Sequence, residues 1–231
     1  MDDKYFKLLQ DDSKTLVLEI EDAINKEIEI KIQLSERNIL ACNVDGDFPI
    51  IILPRPDYFP DESALHELIH IRRFLVDGIP SLTVSEDFWS KNLEQGFLAI
   101  DNDLEHLHVI REEVLRRPVR AQRWQKIFAQ TIVRIGQSSL TETEKDCALV
   151  RLILLLHIAV SDQNSSKNAR NLIKSREINN CLDKFLLEFV EKLNSKEAVS
   201  KLLIDLFDLQ QFYPSLEYRR KDGSKFQKKL F

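Results

Sequence analysis

The chain has 231 residues, 43% of them hydrophobic and 31% charged, which is the composition of a protein with a sizeable folded core. Its net charge of −5 argues against a general nucleic-acid-binding protein, because such proteins bind phosphates through a basic surface. The three cysteines, Cys42, Cys147 and Cys181, are far apart in the sequence, so neither a disulfide framework nor a thiolate zinc site is indicated.

The sequence predicts neither a membrane span nor a secretory signal. The longest apolar run, residues 147–160, is too short to cross a bilayer and contains Arg151 and His157. We therefore interpret this run as a core helix and His157 as a core histidine. The opening segment, MDDKYFKLLQDD, is acidic and lacks a signal-peptide core, so we expect a cytoplasmic protein that does not associate with membranes.

The first quarter of the chain predicts a small α/β unit. Apolar residues recur at helical spacing between residues 4 and 25, which predicts an opening helix. The segment EIEIKIQL then alternates apolar and polar residues, as a half-buried strand does. Next, ILACNV and FPIIILP flank DGD, so we expect a hairpin or a three-stranded sheet, with IIIL as a strand buried on both faces.

The rest of the chain predicts helices. One helix should begin at Pro60, where Asp61 and Glu62 favour a helix N-terminus, and should end before Gly78. A second helix is expected from about Phe88 to Arg116, and residues 119–213 show further helical patterns. The predicted fold class is therefore mostly helical α+β.

The predicted elements divide the chain into three parts. Residues 1–117 form an α/β front domain, residues 118–213 form a helical bundle packed on it, and residues 214–231 form a solvated basic tail.

The helix that begins near Pro60 carries HELIH at residues 66–70. His66 and His70 differ by about 40° around an α-helix, and Glu67 lies about 100° from His66. This spacing can place two imidazoles on one metal ion with a carboxylate beside the open position. Apolar residues also lie on the other sides of this helix, namely Ala64, Leu65, Leu68, Ile69, Phe74 and Leu75, so burying the motif's side chains without a ligand or a partner would be costly. The alternative is two hydrogen-bonded core histidines, with Glu67 as a solvated or paired charge.

This motif resembles that of the zincin metallopeptidases. Strands that precede a helical HELIH, and a second helix rich in acids that follows it, are most similar to the ImmA/IrrE type of bacterial zincins, over residues 1–116. Arg73 and Val76 stand where the metzincin extension has Gly and His, so that subgroup is disfavoured.

The resemblance implies a Zn²⁺ cofactor and the hydrolysis of peptide bonds, with Glu67 as catalytic base and residues 1–117 as the catalytic domain. It also implies a protein or peptide substrate, such as a regulatory protein in a stress or mobile-element response. We expect the substrate to lie extended along a strand edge of the hairpin. Two alternatives stay open: a non-catalytic interaction or regulatory protein with a zincin-like core, and a metal-dependent hydrolase of non-peptide amides.

Zincins of the glutamate-ligand kind take their third ligand from the next helix. That helix has an apolar stripe, formed by Leu93, Phe97, Ile100, Leu104 and Leu107. A polar row borders the stripe and consists of Glu94, Asp101, Glu105, His108 and Glu112. A side chain that reaches a metal on a neighbouring buried helix should border the stripe, whereas Asp103 and His106 point elsewhere.

Within the polar row, Glu105 is the expected third ligand. Asp101 precedes it by one turn and His108 follows it by nearly one turn, so Glu105 has partners to orient it. The thermolysin-like ExxxD pattern is not present, because Val109 stands four residues after Glu105. Asp101, His108 and Glu94 therefore remain alternative ligands or supporting residues.

Overall fold

The computed structural model describes residues 1–45, 48–84, 90–219 and 224–231. The chain divides into two compact units, one of Met1–Pro80 with Tyr218–Phe226 and one of Ser81–Glu217 with Gln227–Phe231. Helices make up most of the described chain, with two small sheets, which confirms the predicted α+β class. None of the described helices is both long enough and apolar enough to cross a membrane.

The first unit begins with two helices, α1 (Asp3–Phe6) and α2 (Asp11–Ile24). The predicted opening helix is therefore present but interrupted after residue 6. Strands β1 (Glu29–Ile32), β2 (Ala41–Asn43) and β3 (Ile50–Leu53) follow and form a sheet in the order β1–β3–β2. Strand β1 is parallel to β3, and β2 is antiparallel to it. The predicted hairpin is thus confirmed in its strands, while Gly46 and Asp47 of its turn lie outside the described residues.

Burial along these strands departs from the sequence pattern in two places. The apolar side of EIEIKIQL is buried at Ile28 but 49% exposed at Ile32 and 81% exposed at Leu34. Strand β3 is fully buried at Ile51 and Leu53, whereas its other face is only half-buried. The expectation of two buried faces for β3 was therefore wrong, because a central strand in a three-stranded sheet needs only one covered face.

Helix α3 (Asp61–Leu75) carries the HELIH segment. Pro60 occupies the N-cap position, Asp61 and Glu62 lie in the first turn, and Gly78 adopts a left-handed φ of 68° beyond the end, as the sequence predicted. The helix packs against α2 and β2. Its apolar residues Ala64, Leu65, Leu68, Ile69 and Ile71 are fully buried. Burial of these apolar residues fixes the rotation of α3 and hence the direction of HELIH.

The second unit is mainly helical, and its longest helix is α4 (Lys91–Arg116). Ser90 caps this helix by accepting a hydrogen bond from the Leu93 amide at 3.2 Å, while the predicted start at Phe88 lies outside the described residues. The helices that follow are α5 (Arg120–Gln137), α6 (Glu142–Leu154), α7 (Gln163–Arg170), α8 (Arg176–Glu191) and α9 (Lys196–Leu206). Helix α4 packs against α5, α6, α9, β4 and the turn at Leu155–Ala159 within its own unit.

The long apolar run forms the end of α6 and a π-helical turn, Leu155–Ala159. Leu155, Leu156 and Ala159 are buried on the inner side of that turn, and His157 is exposed. The interpretation of the run as a core helix is confirmed, but the assignment of His157 to the core was wrong. The imidazole lies on the outer side of the turn.

Residues 214–231, which we expected to form a solvated tail, contain strands β5 (Ser215–Arg219) and β6 (Lys225–Lys229). Strand β5 pairs antiparallel with β4 (Ser81–Thr83), and the sheet has the order β4–β5–β6. Leu216 and Leu230 are buried, which gives this basic segment the apolar anchors that a free tail lacks. Two of its lysines form ion pairs: Lys225 lies 2.9 Å from Asp45, and Lys228 lies 2.6 Å from Glu197.

Candidate metal centre

In the first unit, the two histidines of HELIH face each other on α3. The ring centroids of His66 and His70 are 4.9 Å apart, and the rings meet edge to face at 74°. His70 is buried and also stacks on Phe74 at 6.3 Å, while His66 is half-buried. The four-residue spacing therefore brings both imidazoles to one side of the helix, as predicted.

Glu67, the candidate base, is half-buried and has a partner on the neighbouring strand. Its negative charge acts on the thiol of Cys42, which lies in the middle of β2 opposite Ile51. Burial raises the pKa of the Cys42 thiol well above its usual value, and the negative charge of Glu67 raises it further. At neutral pH the sulfur therefore carries its proton.

Sequence reasoning did not find Cys42. The sequence could have indicated only that Cys42 points to the opposite side of the sheet from Ala41 and Asn43, because side chains alternate along a strand. In the structure Ala41 and Asn43 are exposed. The side of Cys42 is the one against which α3 packs, which the sequence alone could not establish.

In the second unit, two of the predicted ligand candidates on α4 are tied to one lysine. Glu105 is 1% exposed, and its Oε1 lies 2.6 Å from the Lys196 Nζ. Asp101 is also buried, and its Oδ1 lies 2.7 Å from the same ammonium group. Asp101 accepts a further hydrogen bond from the Leu82 amide at 2.8 Å. Lys196 begins α9, so these charges link α9 and β4 to α4.

The charge balance in this buried cluster favours an ionised lysine. Burial alone would lower the pKa of Lys196, but the carboxylates of Asp101 and Glu105 raise it above its usual value. Burial raises the pKa of Asp101, and the ammonium of Lys196 opposes that rise. Within its own unit, Glu105 is therefore neutralised by a charged, hydrogen-bonded partner.

The remaining candidates on α4 are less enclosed. Glu94 and His108 are half-buried. Asp103 lies 3.3 Å from the Nε of Arg151, and burial raises the pKa of its carboxyl to about 6 although Arg151 lowers it. His106 is half-buried, its Nδ1 lies 3.0 Å from the amide nitrogen of Asn102, and its ring centroid is 6.2 Å from that of Trp124.

Removal of the Lys196 ammonium should destabilise the second unit. We expect Lys196→Met to lower the free energy of unfolding by about 3 kcal/mol, because two buried carboxylates lose their counter-charge. Lys201→Met is a matched control on the same helix, since Lys201 pairs only at the surface with Glu197 at 3.1 Å. Urea unfolding followed by circular dichroism measures both variants. Equal stability of the two would show that the buried ion pairs contribute little.

The chain matches no known protein family, no curated protein and no solved structure. The functional argument consequently depends on the residues of α3, β2 and α4 themselves.

Proposed function

We propose that the protein is a zinc-dependent peptide hydrolase with His66 and His70 as metal ligands and Glu67 as catalytic base. The observation that carries the proposal is the His66–His70 pair, whose rings lie 4.9 Å apart with a carboxylate on the next residue of the same helix. Two imidazoles one helical turn apart, with a carboxylate directly after the first, are what an HExxH zinc hydrolase takes from one helix.

For the third ligand we propose His106 in preference to Glu105. Glu105 would have to give up its buried ion pair with Lys196 before it could bind a metal. The imidazole of His106 is a neutral nitrogen donor of the kind that commonly binds zinc. The prediction that Glu105 is the ligand stays open to the experiment described in the Discussion.

The donor set fits zinc. Neutral imidazole nitrogens are common zinc ligands, and a catalytic zinc site typically has three protein ligands and one open position. When bound, the ion would supply a Lewis acid at the reacting centre. His66, His70 and His106 would fix its position.

The proposed role of Glu67 is proton transfer. As an ionised carboxylate it would take a proton from the attacking water and deliver that proton to the departing amine.

Strand β2 is the proposed docking edge for the substrate. Within the described part of the first sheet, β3 is central, and β2 is paired along one side only. An extended peptide could add to the other side of β2 through main-chain hydrogen bonds, next to the helix that carries HELIH. This requirement for extended conformation favours unstructured peptides or flexible protein segments as substrates.

The proposal predicts zinc-dependent cleavage. The full chain, stripped with a chelator and reloaded, should bind about one zinc ion and cleave members of an unstructured peptide library only when loaded. His66→Ala and His70→Ala should lose both properties, whereas His157→Ala, which removes an exposed imidazole, should retain them. Zinc binding by wild type without any cleavage, scored by mass spectrometry, would favour the non-catalytic alternative.

A further inference from the structure

Strand β1 leaves apolar side chains exposed at one edge of the first sheet. The sheet has the order β1–β3–β2, so β1 pairs with β3 on one side and, among the described residues, with no strand on the other. Ile51 and Leu53 of β3 are fully buried, and their partners in register are Ile30 and Ile32 of β1. Ile30 is half-buried and Ile32 is 49% exposed, so the apolar face of the sheet continues into solvent at this edge.

The main-chain groups of β1 face the same edge. The amides of Glu29 and Gln33 both donate to main-chain carbonyls on the β3 side at 2.9 Å. Successive residues of a strand direct their amide and carbonyl groups to opposite sides, so those of Ile30 and Ile32 point away from β3. A row of outward-pointing amides and carbonyls is a template on which a further strand can pair.

The other face of β1 carries two charges of opposite sign. The side chains of Glu29 and Lys31 are 40% and 59% exposed, and the Lys31 Nζ lies 3.3 Å from the Glu29 carboxylate. Ile30 lies between them in the sequence. A strand with opposite charges on either side of one central residue is complementary to itself when it is turned end for end. The charge pattern of this edge therefore fits a second copy of the same chain.

We propose that two copies of the chain associate through β1 as a symmetric dimer, with the two strands antiparallel and Ile30 of each copy opposite Ile30 of the other. In this register, Glu29 of each copy lies opposite the partner's Lys31, and the exposed Ile32 lies opposite the partner's Ile28. A shift of two residues in one direction would place Lys31 opposite Lys31, and in the other direction Glu29 opposite Glu29, both of which are unfavourable.

The proposed dimer is closed and leaves the opposite edge of the sheet free. A two-fold axis between the strands uses β1 of both copies, so association ends at two chains. The paired sheets then continue as one sheet that ends in β2 on each side. This inference goes beyond the proposed function and holds whether or not the protein hydrolyses peptides.

Sedimentation equilibrium of the full chain tests the dimer. From about 1 to about 300 µM protein, the mass should rise from that of the 27.0 kDa chain towards twice that value. A short edge contact buries little area, so a concentration-dependent dimer is expected instead of a permanent one. A chain that stays monomeric over this range would overturn the proposal and leave the edge to a strand of another protein.

Charge reversal identifies the strand and its register. Lys31→Glu should raise the dissociation constant of the dimer by about 10-fold or more, because two cross-strand ion pairs become two pairs of carboxylates. Glu29→Lys should have the same effect through two pairs of ammonium groups. The double variant with Glu29→Lys and Lys31→Glu restores opposite charges and should return the constant to within about 3-fold of wild type.

The matched control is Lys184→Glu, the same charge change at an exposed position of α8, which should leave the dissociation constant unchanged. Circular dichroism identifies any variant that unfolds, and the two single variants at the edge are independent of each other in this respect. Undiminished dimerisation of the single variants would mean that association uses another surface. Failure of the folded double variant to recover would mean that the register is wrong. Either result would overturn the proposal.

Discussion

Replacing Glu67 by Gln should lower kcat for peptide hydrolysis by about 10²- to 10⁴-fold while the zinc content of the protein stays unchanged. Glutamine has nearly the shape of glutamate, but it cannot take a proton from water. The variant therefore removes the proton transfer and little else. The expected loss appears in kcat, because substrate binding along β2 does not use this carboxylate.

The control is Glu62→Gln, the same chemical change in the first turn of the same helix. Glu62 is exposed and lies more than one turn from Glu67, so hydrolysis by this variant should match wild type. Zinc content by atomic emission and helicity by circular dichroism are measured for both. If Glu67→Gln loses its zinc while its helicity is retained, Glu67 is a ligand, and the assignment as base is wrong.

The HELIH helix was largely predictable from local sequence. Its start at Pro60 with two acids, its end before Gly78 and the shared face of His66 and His70 all follow from backbone geometry and helical spacing. These features depend on residues within one or two turns of each other. The hairpin of β2 and β3 was predictable for the same reason.

Contacts between distant segments were not predictable. The polar row on α4 correctly grouped Asp101 with Glu105, but Lys196 lies 91 residues from Glu105, and no spacing rule connects them. Because Lys196 is buried against both acids, a row that resembled a metal-binding face is in part an internal ion cluster. The electrostatic interaction between Cys42 and Glu67 could not be predicted either, since it depends on which face of β2 packs against α3.

The ion pairs of Lys196 with Asp101 and Glu105 affect which residue can be the third zinc ligand. His106→Ala should weaken zinc affinity by about 10³-fold or more, because one of three protein ligands is lost. Glu105→Gln should change the affinity less than about 10-fold, since its carboxylate is committed to Lys196 and acts at most on the orientation of its neighbours. His108→Ala, a half-buried imidazole two residues further along, is the matched control for His106 and should have a similarly small effect.

Zinc titration against a competing chelator separates the two assignments, with circular dichroism to identify any variant that unfolds. Glutamine is used at position 105 because it keeps the volume and an acceptor for Lys196, whereas alanine would leave a cavity beside a buried ammonium. A larger loss in Glu105→Gln than in His106→Ala would mean that Glu105 leaves Lys196 to bind the metal. In that case Lys196→Met should strengthen zinc binding, because it removes the competitor for the Glu105 carboxylate. If His106 is the ligand, the same variant should leave zinc affinity nearly unchanged, so Lys196→Met gives different results under the two assignments.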